Sequence, residues 1–291
     1  MFILRYHTAM NNGSVSDLKE KGCVSISYPE ELRVSVEEAM EKWKAFCALP
    51  ESQRAKFPYN PGAGMGVGYE LKKTPGATLD VKEDMHLTLG SREWLTAAAK
   101  ASESEVAEEF VGCAEDLIIA MEPLITEFAI AIEQKFGLEG FAKNITDNRN
   151  QWFIRFLHYF GNREEGDEIA TPHVDKSAFT LHLYESDEGL QRLDYDFAWQ
   201  DMPVSSGETV IIPGMRLQYR SESTIKATAH RVVANTNTAK TGRFSAVCFI
   251  HPKNTPVYDK QKAGRLQEFE PGFNYSMPFD EFSQLFTEER A

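Results

Sequence analysis

The sequence predicts a mainly β fold, an antiparallel sandwich or barrel, with flanking α-helices. The second half of the chain carries many short apolar segments, and glycine, proline, serine, asparagine and aspartate separate them, as is typical of successive short strands. The first half carries longer apolar stripes at helical spacing. The strand-like segments are 152–160, 179–184, 209–212, 217–219, 231–234 and 244–250.

Composition narrows the class of protein. The 291 residues fit one large domain with a sizeable N-terminal part, and a net charge of −13 argues against nucleic acid as a partner, because a phosphate backbone needs clustered cations. The four cysteines form no Cys-x-x-Cys pair, so we expect reduced, buried thiols. The sequence has no signal-peptide pattern and no apolar run long enough to span a membrane, so we expect a cytoplasmic protein.

The N-terminal elements follow in order. Residues 1–30 predict one or two short strands, with the alternating segment Cys23–Ser27 at a sheet edge. A helix is expected next, with Ser35 as its N-cap, and a second short helix is expected from Leu49 to Phe57. The buried face of the first helix is predicted to contain Val36, Ala39, Met40, Trp43, Phe46 and Cys47.

A glycine-rich loop from Tyr59 to Tyr69 comes next, and its glycines make it a candidate lid. Residues 80–89 resemble a strand. The longest helix is expected to begin at a capping box formed by Ser102 and Glu105 and to continue to about residue 136, packed against the outside of the sheet. A short amphipathic helix is expected at residues 279–286.

Three short segments in the second half carry the chemistry. His173 and Asp175 are two residues apart, and on an extended strand this spacing puts both side chains on one face. His230 lies in a separate strand-like segment and is followed by apolar residues. Two imidazoles and one carboxylate form the facial triad of non-haem Fe(II) oxygenases, which leaves three coordination positions open.

Arg243 and Ser245 alternate with apolar residues in the last strand-like segment. If Phe244, Ala246 and Cys248 face one way, Arg243 and Ser245 face the other. A guanidinium buried in a barrel needs an anion, and a neighbouring hydroxyl can add a hydrogen bond to a carboxylate. The pattern therefore predicts a carboxylic acid ligand near the metal. A structural ion pair between Arg243 and an acidic residue is the alternative, and the spacing alone does not choose between them.

In this order the residues resemble the iron- and 2-oxoglutarate-dependent dioxygenase superfamily, in its isopenicillin N synthase-like branch. The family's His-x-Asp, His and Arg-x-Ser pattern is matched by His173, Asp175, His230, Arg243 and Ser245. Flanking segments are similar too. They are Arg155–Tyr159, Glu188–Gln191, 206–214 and 226–232, with weaker similarity at Gly68–Tyr69 and 80–83.

The resemblance implies a double-stranded β-helix (jelly roll) with the N-terminal helices packed outside. It implies an N-terminal α/β region at 1–144, a core at 145–252 and a C-terminal extension at 253–291. His173, Asp175 and His230 would bind Fe(II). Arg243 and Ser245, together with Tyr159, would hold the distal carboxylate of 2-oxoglutarate.

The expected function is oxidation of a small-molecule substrate by O₂, through hydroxylation, desaturation or cyclisation. Related halogenases replace the carboxylate ligand by a small residue, so Asp175 argues against halogenation. Two alternatives remain, an oxidase of the same fold that does not use 2-oxoglutarate and a non-catalytic ligand-sensing protein. Arg155, Trp152, His158 and the glycine-rich loop are candidates for shaping the substrate pocket. His86 and His182 are predicted to be structural, although His182 could line the pocket.

Overall fold

The computed structural model describes residues 12–61, 66–72 and 81–253, and the following statements concern these residues. The helices are α1 (Asn12–Glu20), α2 (Glu30–Cys47), α3 (Glu51–Arg54), α4 (Arg92–Ser102), α5 (Glu105–Phe136), α6 (Phe141–Thr146), α7 (Met215–Arg220) and α8 (Thr238–Thr241). The strands are β1 (Val24–Ser27), β2 (Gly68–Lys72), β3 (Lys82–Thr88), β4 (Phe153–Tyr159), β5 (Glu168–His173), β6 (Phe179–Glu185), β7 (Leu190–Leu193), β8 (Trp199–Asp201), β9 (Glu208–Pro213), β10 (His230–Val233) and β11 (Arg243–Ile250). The helix expected at 279–286 lies outside the described residues.

The strands form two antiparallel sheets. The major sheet has seven strands in the order β1-β9-β6-β11-β4-β3-β2, and the minor sheet has four in the order β5-β10-β7-β8. The predicted class, mainly β with flanking helices in a jelly roll, is confirmed. Strand β1 pairs with β9 at the edge of the major sheet, as the alternation of Cys23–Ser27 predicted.

Side-chain alternation on β11 separates two apolar clusters. Ala246, Cys248 and Ile250 belong to the larger cluster, which also contains the buried faces of α2 and α5. Val247 belongs to a smaller cluster, whose members come from both sheets and therefore lie between them. The predicted alternation of β11 is confirmed, and its inner face turns Arg243 and Ser245 toward the space between the sheets.

The long helix α5 is confirmed, but its predicted start is wrong. Ser102 is the last residue of a separate helix, α4, which the sequence reading missed. The N-cap is Ser104, whose hydroxyl accepts a hydrogen bond from the Ala107 amide. The helix ends at Gly137, where φ is +65°, a conformation that glycine adopts without strain.

Helix α2 is also confirmed but begins earlier than expected. Its N-cap residue is Pro29, so the first turn of the helix begins at Glu30. Ser35 lies within the helix and donates to the carbonyl of Glu31, which makes the prediction that it caps the helix wrong. The predicted buried face is confirmed except that Cys47 is only half-buried.

Segment 217–219 is helical and not extended, since it lies in α7. Its apolar residues Leu217 and Tyr219 are both buried. Three residues are too few to show whether apolar residues recur at the spacing of a strand or of a helix. No helix in the described ranges has an apolar stretch long enough to cross a bilayer.

Candidate metal and cofactor site

A cavity of about 200 Å³ contains the predicted site. Its lining includes residues of β4, β6 and β11 from the major sheet and of β5, β7 and β10 from the minor sheet, so it lies between the sheets. All six residues expected from the sequence line it, namely His173, Asp175, His230, Arg243, Ser245 and Tyr159. A larger surface hollow of about 410 Å³ beside α2 contains none of these six.

The minor sheet and the loop that leaves it bring His173, Asp175 and His230 together. His173 ends β5, His230 begins β10, and the two residues are direct partners in the antiparallel register. The Nε2 atoms of His173 and His230 lie 3.7 Å and 3.9 Å from the carboxylate oxygens of Asp175. One ligand atom from each of the three residues lies within 4.8 Å of the others.

Hydrogen bonds fix which nitrogen of each imidazole faces the carboxylate. The Nδ1 atom of His173 lies 2.7 Å from the Thr171 carbonyl, and that of His230 lies 3.1 Å from the Thr228 carbonyl. Because a carbonyl only accepts, each Nδ1 carries a proton, and Nε2 is the nitrogen left to bind a metal. The Nε2 atoms point at Asp175, as metal-binding imidazoles do.

Asp175 follows β5 and is held from two directions. One carboxylate oxygen accepts a 2.6 Å hydrogen bond from the Thr180 hydroxyl. The backbone carbonyl of Asp175 accepts from the Met215 amide at 2.7 Å. The Asp175 backbone also lies so close to Gly214 that a side chain at Gly214 would collide with this loop. The turn from β9 into α7 therefore positions the carboxylate.

Electrostatics favour an ionised carboxylate at Asp175 and a neutral imidazole at His230. Burial alone would raise the pKa of Asp175, but the imidazoles of His230 and His173 and the Thr180 hydroxyl outweigh burial and lower the pKa. Burial, together with the neighbouring His173, lowers the pKa of His230 to about 3. Both protonation states are those that a divalent metal requires of its ligands. The three residues therefore fit Fe(II).

Arg243 occupies the same cavity and already faces an acidic residue. Its guanidinium is 1% exposed, with Nη1 2.7 Å from a carboxylate oxygen of Glu185 and Nε donating to the Asp187 carbonyl at 3.3 Å. The other Glu185 oxygen lies 3.1 Å from Nδ1 of His182. The ion pair left open as an alternative is thus present, and sequence reasoning did not single out Glu185.

The remaining guanidinium nitrogen of Arg243 still fits a carboxylate ligand. Its Nη2 atom is buried and has no hydrogen-bond partner among the described residues. Ser245 lies two residues along the same strand face and is 2% exposed, while Tyr159 is the direct partner of Arg243 on β4. The unpartnered nitrogen and the serine hydroxyl supply two donors to one end of the cavity, which fits the distal carboxylate of 2-oxoglutarate.

The other residues considered from the sequence divide between two faces. His182 and Arg155 line the cavity. Trp152 is buried in the larger apolar cluster and donates to the Ile145 carbonyl, and His158 stacks on Phe244 away from the cavity. The expectation that Trp152 and His158 shape the pocket is therefore wrong, because neither side chain lines the cavity.

His86 lies on β3 with its Nε2 atom 2.7 Å from a carboxylate oxygen of Asp84. Both side chains are buried, and neither lines the cavity. The described part of the glycine-rich segment contributes no lining residue to the cavity, and residues 62–65 of the candidate lid lie outside the described ranges.

Comparisons with known proteins agree with this geometry. Residues 153–252 match the family model of the 2OG-Fe(II) oxygenase superfamily. A structure from Shewanella oneidensis, described as a candidate oxygenase, is 22% identical with a TM-score of 0.73, over 98% of this chain and 97% of that chain. T7H of Neurospora crassa in complex with alpha-KG and thymine is 18% identical with a TM-score of 0.71, over 94% and 90% of the two chains.

A rice dioxygenase for auxin oxidation is 18% identical with a TM-score of 0.70, over 98% of this chain and 94% of that chain. At these identities the solved structures support the jelly-roll fold. No curated protein sequence matches the chain. The narrower assignment to the isopenicillin N synthase-like branch stays a prediction. The family match identifies residues 153–252 as a region of the 2OG-Fe(II) oxygenase superfamily, whose members are dioxygenases with Fe(II) and 2-oxoglutarate as cofactors.

Proposed function

We propose that this chain uses Fe(II), 2-oxoglutarate and O₂ to oxidise a small-molecule substrate by hydroxylation, desaturation or cyclisation. One observation carries the proposal. His173, Asp175 and His230 bring their ligand atoms within 4.8 Å of one another, in the cavity that Arg243 and Ser245 also line. A metal site and an anion site in one cavity are what this chemistry requires.

Each residue has a proposed role. His173 and His230 bind iron through Nε2, and their Nδ1–H bonds to backbone carbonyls keep the rings in place. Asp175 supplies the third ligand, with Thr180 orienting its carboxylate. Arg243 and Ser245, with Tyr159 beside them, hold the distal carboxylate of 2-oxoglutarate. Iron and 2-oxoglutarate bound together supply the chemistry that reduces O₂ and oxidises the substrate. The surrounding barrel excludes water and orients the reacting C–H bond.

The substrate is proposed to be a small molecule because the cavity between the sheets has a volume of only about 200 Å³. Solved structures with the same fold include T7H in complex with thymine and JOX2 in complex with 2OG, Fe and JA. The carboxylate ligand Asp175 favours the three proposed reactions over halogenation. Two earlier expectations, a cytoplasmic location and the absence of a nucleic-acid partner, stay predictions.

Glu185 favours one alternative, an iron oxidase that does not take 2-oxoglutarate. Its carboxylate already lies 2.7 Å from Arg243, where the cofactor carboxylate is proposed to bind. We prefer the 2-oxoglutarate proposal because Nη2 of Arg243 is buried without a partner and can still bind a ligand. A non-catalytic ligand-sensing protein remains the third possibility for the experiment to address.

The test is anaerobic. Fe(II) and then 2-oxoglutarate are added to the purified apoprotein, and the visible metal-to-ligand charge-transfer band is measured. His173→Ala and Arg243→Ala are compared with Arg149→Ala, which removes an arginine that pairs with Glu122 outside the cavity. The wild type and Arg149→Ala are expected to develop the band, and the other two variants are expected to lose it.

Three outcomes separate the candidates. A band that needs both His173 and Arg243 supports the proposed function. Bound iron without a band favours the oxidase that does not use 2-oxoglutarate. Failure to bind iron would contradict both enzyme proposals and favour the ligand-sensing protein.

A further inference from the structure

Arg155 lines the cavity at a distance from the proposed cofactor arginine. It lies on the inner face of β4, four residues before Tyr159, which is the direct partner of Arg243. At roughly 3.4 Å per residue, four residues span about 14 Å of strand. The backbone positions of the two arginines are therefore well separated along the strands, which places Arg155 in a second part of the cavity.

This second part is the end that holds the proposed metal ligands. Phe249, which packs beside Arg155, is the register partner of Thr180 on β6. Thr180 in turn donates its hydroxyl to Asp175. The strands therefore place Arg243 at one end of the cavity and Arg155 beside the metal end, where a substrate has to approach.

No carboxylate in the described part of the chain forms an ion pair with the guanidinium of Arg155, although Asp84 is close enough to interact with it electrostatically. The Nε atom of Arg155 is enclosed and makes no hydrogen bond. The two carboxylates that line the cavity are both occupied, Asp175 by the imidazoles and Thr180, and Glu185 by Arg243 and His182. Arg155 is partly exposed, but an enclosed guanidinium nitrogen without an acceptor favours this position as a binding site for an anion.

Two aromatic rings hold the guanidinium in a fixed place. The Cζ atom of Arg155 lies 5.4 Å from the ring centroid of Phe153 and 5.3 Å from that of Phe249. The rings contact each other as well, with centroids 5.5 Å apart. Cation–π contacts of this kind leave the N–H edge of the planar fork available for a carboxylate.

The acidic residue on the strand next to Arg155, Asp84, contacts a histidine. Asp84 lies on β3, one strand from Arg155, and is fully buried. Its carboxylate oxygen lies 2.7 Å from Nε2 of His86, and neither residue lines the cavity. Asp84 therefore compensates part of the charge of Arg155 without an ion pair, and the N–H edge of the guanidinium that faces the cavity is left to a ligand.

We infer that Arg155 is the anion-binding residue of the substrate site and that the substrate is a small organic carboxylate. This inference rests on the proposed function. The carboxylate binds the fork of Arg155, and the apolar remainder lies against the inner faces of both sheets, where Leu157, Leu190 and Val232 line the cavity. The substrate's carboxylate is thereby fixed beside the metal end and away from the cofactor carboxylate at Arg243.

The experiment uses matched probes that differ in charge. The full chain is loaded anaerobically with Fe(II) and saturating 2-oxoglutarate, so that the Arg243 end is filled. Phenylacetate, hexanoate and cinnamate are titrated against phenylacetamide, hexanamide and cinnamamide by calorimetry. At least one acid is expected to bind about tenfold or more tightly than its amide, a difference typical of one charge-assisted contact.

Variants test whether Arg155 causes the difference. Arg155→Leu is expected to bind acid and amide alike, and Arg155→Lys is expected to keep part of the preference because it retains the charge. Arg149→Leu is the same substitution at an arginine outside the cavity, and it is expected to keep the full preference for acid over amide. If Arg155→Leu does not fold, the test is whether Arg155→Lys has a smaller preference for acid over amide than the wild type.

The inference is overturned if no acid binds, if acids and amides bind equally to the wild type, or if removing or replacing the guanidinium leaves the preference intact. These results differ from a failure of the proposed function. In that case the wild type would not develop the 2-oxoglutarate charge-transfer band before any probe is added.

Discussion

Glu185 and Arg243 form a buried ion pair at the end of the cavity proposed for the cofactor carboxylate. Their side chains are 4% and 1% exposed, and Glu185 also contacts His182. Removing one partner of a buried pair typically costs about 3–5 kcal/mol, because the other charge is left without compensation. A ligand carboxylate at Arg243 would restore that compensation. Replacing Glu185 by a neutral residue should therefore lower the stability of the ligand-free protein and raise its affinity for 2-oxoglutarate.

Glu185→Gln is therefore expected to lower the free energy of unfolding of the metal-free protein by about 2–4 kcal/mol. It is expected to raise the affinity for 2-oxoglutarate about tenfold, since the neutral amide no longer repels the incoming carboxylate. Urea denaturation and calorimetry with the Mn(II)-loaded protein measure the two effects. Glu122→Gln, the same substitution in a half-exposed pair with Arg149, should change neither by much. Weaker 2-oxoglutarate binding in Glu185→Gln would instead mean that Glu185 orients Arg243 for its ligand.

His251 makes stability depend on pH. It is 6% exposed, its Nδ1 has no hydrogen-bond partner among the described residues, and burial followed by the charge of Arg216 lowers its pKa from 6.5 to about 3. The unfolded chain takes up a proton below pH 6.5 and the folded chain does not. The stability that the neutral ring contributes is therefore fully present above pH 6.5 and is lost as the pH falls toward 3.

For the metal-free protein, His251→Leu should lose less stability than wild type when the pH falls from 7.5 to 5.5. The expected difference is about 1.4 kcal/mol, the effect of one pH unit below the ordinary pKa. Urea denaturation of both proteins at the two pH values measures it. Equal losses would show that His251 binds protons alike in the folded and unfolded states.

At the residue scale, local patterns were enough to bring five of the site residues to one cavity. Alternation on β11 placed Arg243 and Ser245 on the same face, and the short spacing of His173 and Asp175 kept them close. The place of Glu185 was not predictable in this way. It lies opposite Ser245 only because of the register between β6 and β11, and a shift of one residue would reverse its face.

At the element scale, Trp43 joins helix α2 to the strand that carries the inner face of the cavity. It is fully buried, packs against Phe46, Phe110 and Phe156, and donates its indole N–H to the Leu157 carbonyl at 3.2 Å. Leu157 lines the cavity from the other face of β4. The contact therefore fixes the position of the helix layer relative to the site.

Trp43→Phe is expected to lower the free energy of unfolding by about 1–3 kcal/mol, because it removes the indole hydrogen bond to the Leu157 carbonyl and leaves a small void. Urea denaturation gives the change. Trp94→Phe, the same substitution at a side chain that is 37% exposed, should stay within about 0.5 kcal/mol of wild type. Equal effects at the two positions would contradict a supporting role for Trp43.

Length explains which elements the sequence predicted. Helix α5 has 32 residues, so its apolar stripe repeats often enough to establish the helical period. Segment 217–219 offers only three residues, and the same burial suits either structure. Helix N-caps are harder to predict than the helices themselves. Ser102 and Ser104 both have the side chain that an N-cap needs, and only the packing of α4 against α5 decides between them.

At the scale of the whole molecule, strands that are distant in sequence build one sheet. Strands β1, β2 and β3 come from the region before residue 144 and extend the same sheet as β4 and β11. Such pairings join residues that are far apart in the chain, so local sequence patterns could not predict which strands are neighbours. The proposed division at residues 144 and 252 stays a prediction.

The proposed ligands connect the two sheets, which leads to a prediction for the loaded protein. His173 and His230 lie on the minor sheet, Arg243 lies on the major sheet, and Asp175 lies in the loop that passes from one to the other. A metal and 2-oxoglutarate held by all four residues would join the sheets and raise the free energy of opening them.

Hydrogen exchange measured with and without Mn(II) and 2-oxoglutarate tests this prediction. The amides of β5 and β10 are expected to slow at least about tenfold on loading, and those of α5 much less, because α5 packs on the outer face and contacts no proposed ligand. His173→Ala serves as the control and should show little change in β5 or β10. Equal slowing in α5 and the minor sheet would mean that binding stabilises the whole fold uniformly. Slowing confined to β11 would mean that 2-oxoglutarate binds at Arg243 without a metal at the triad.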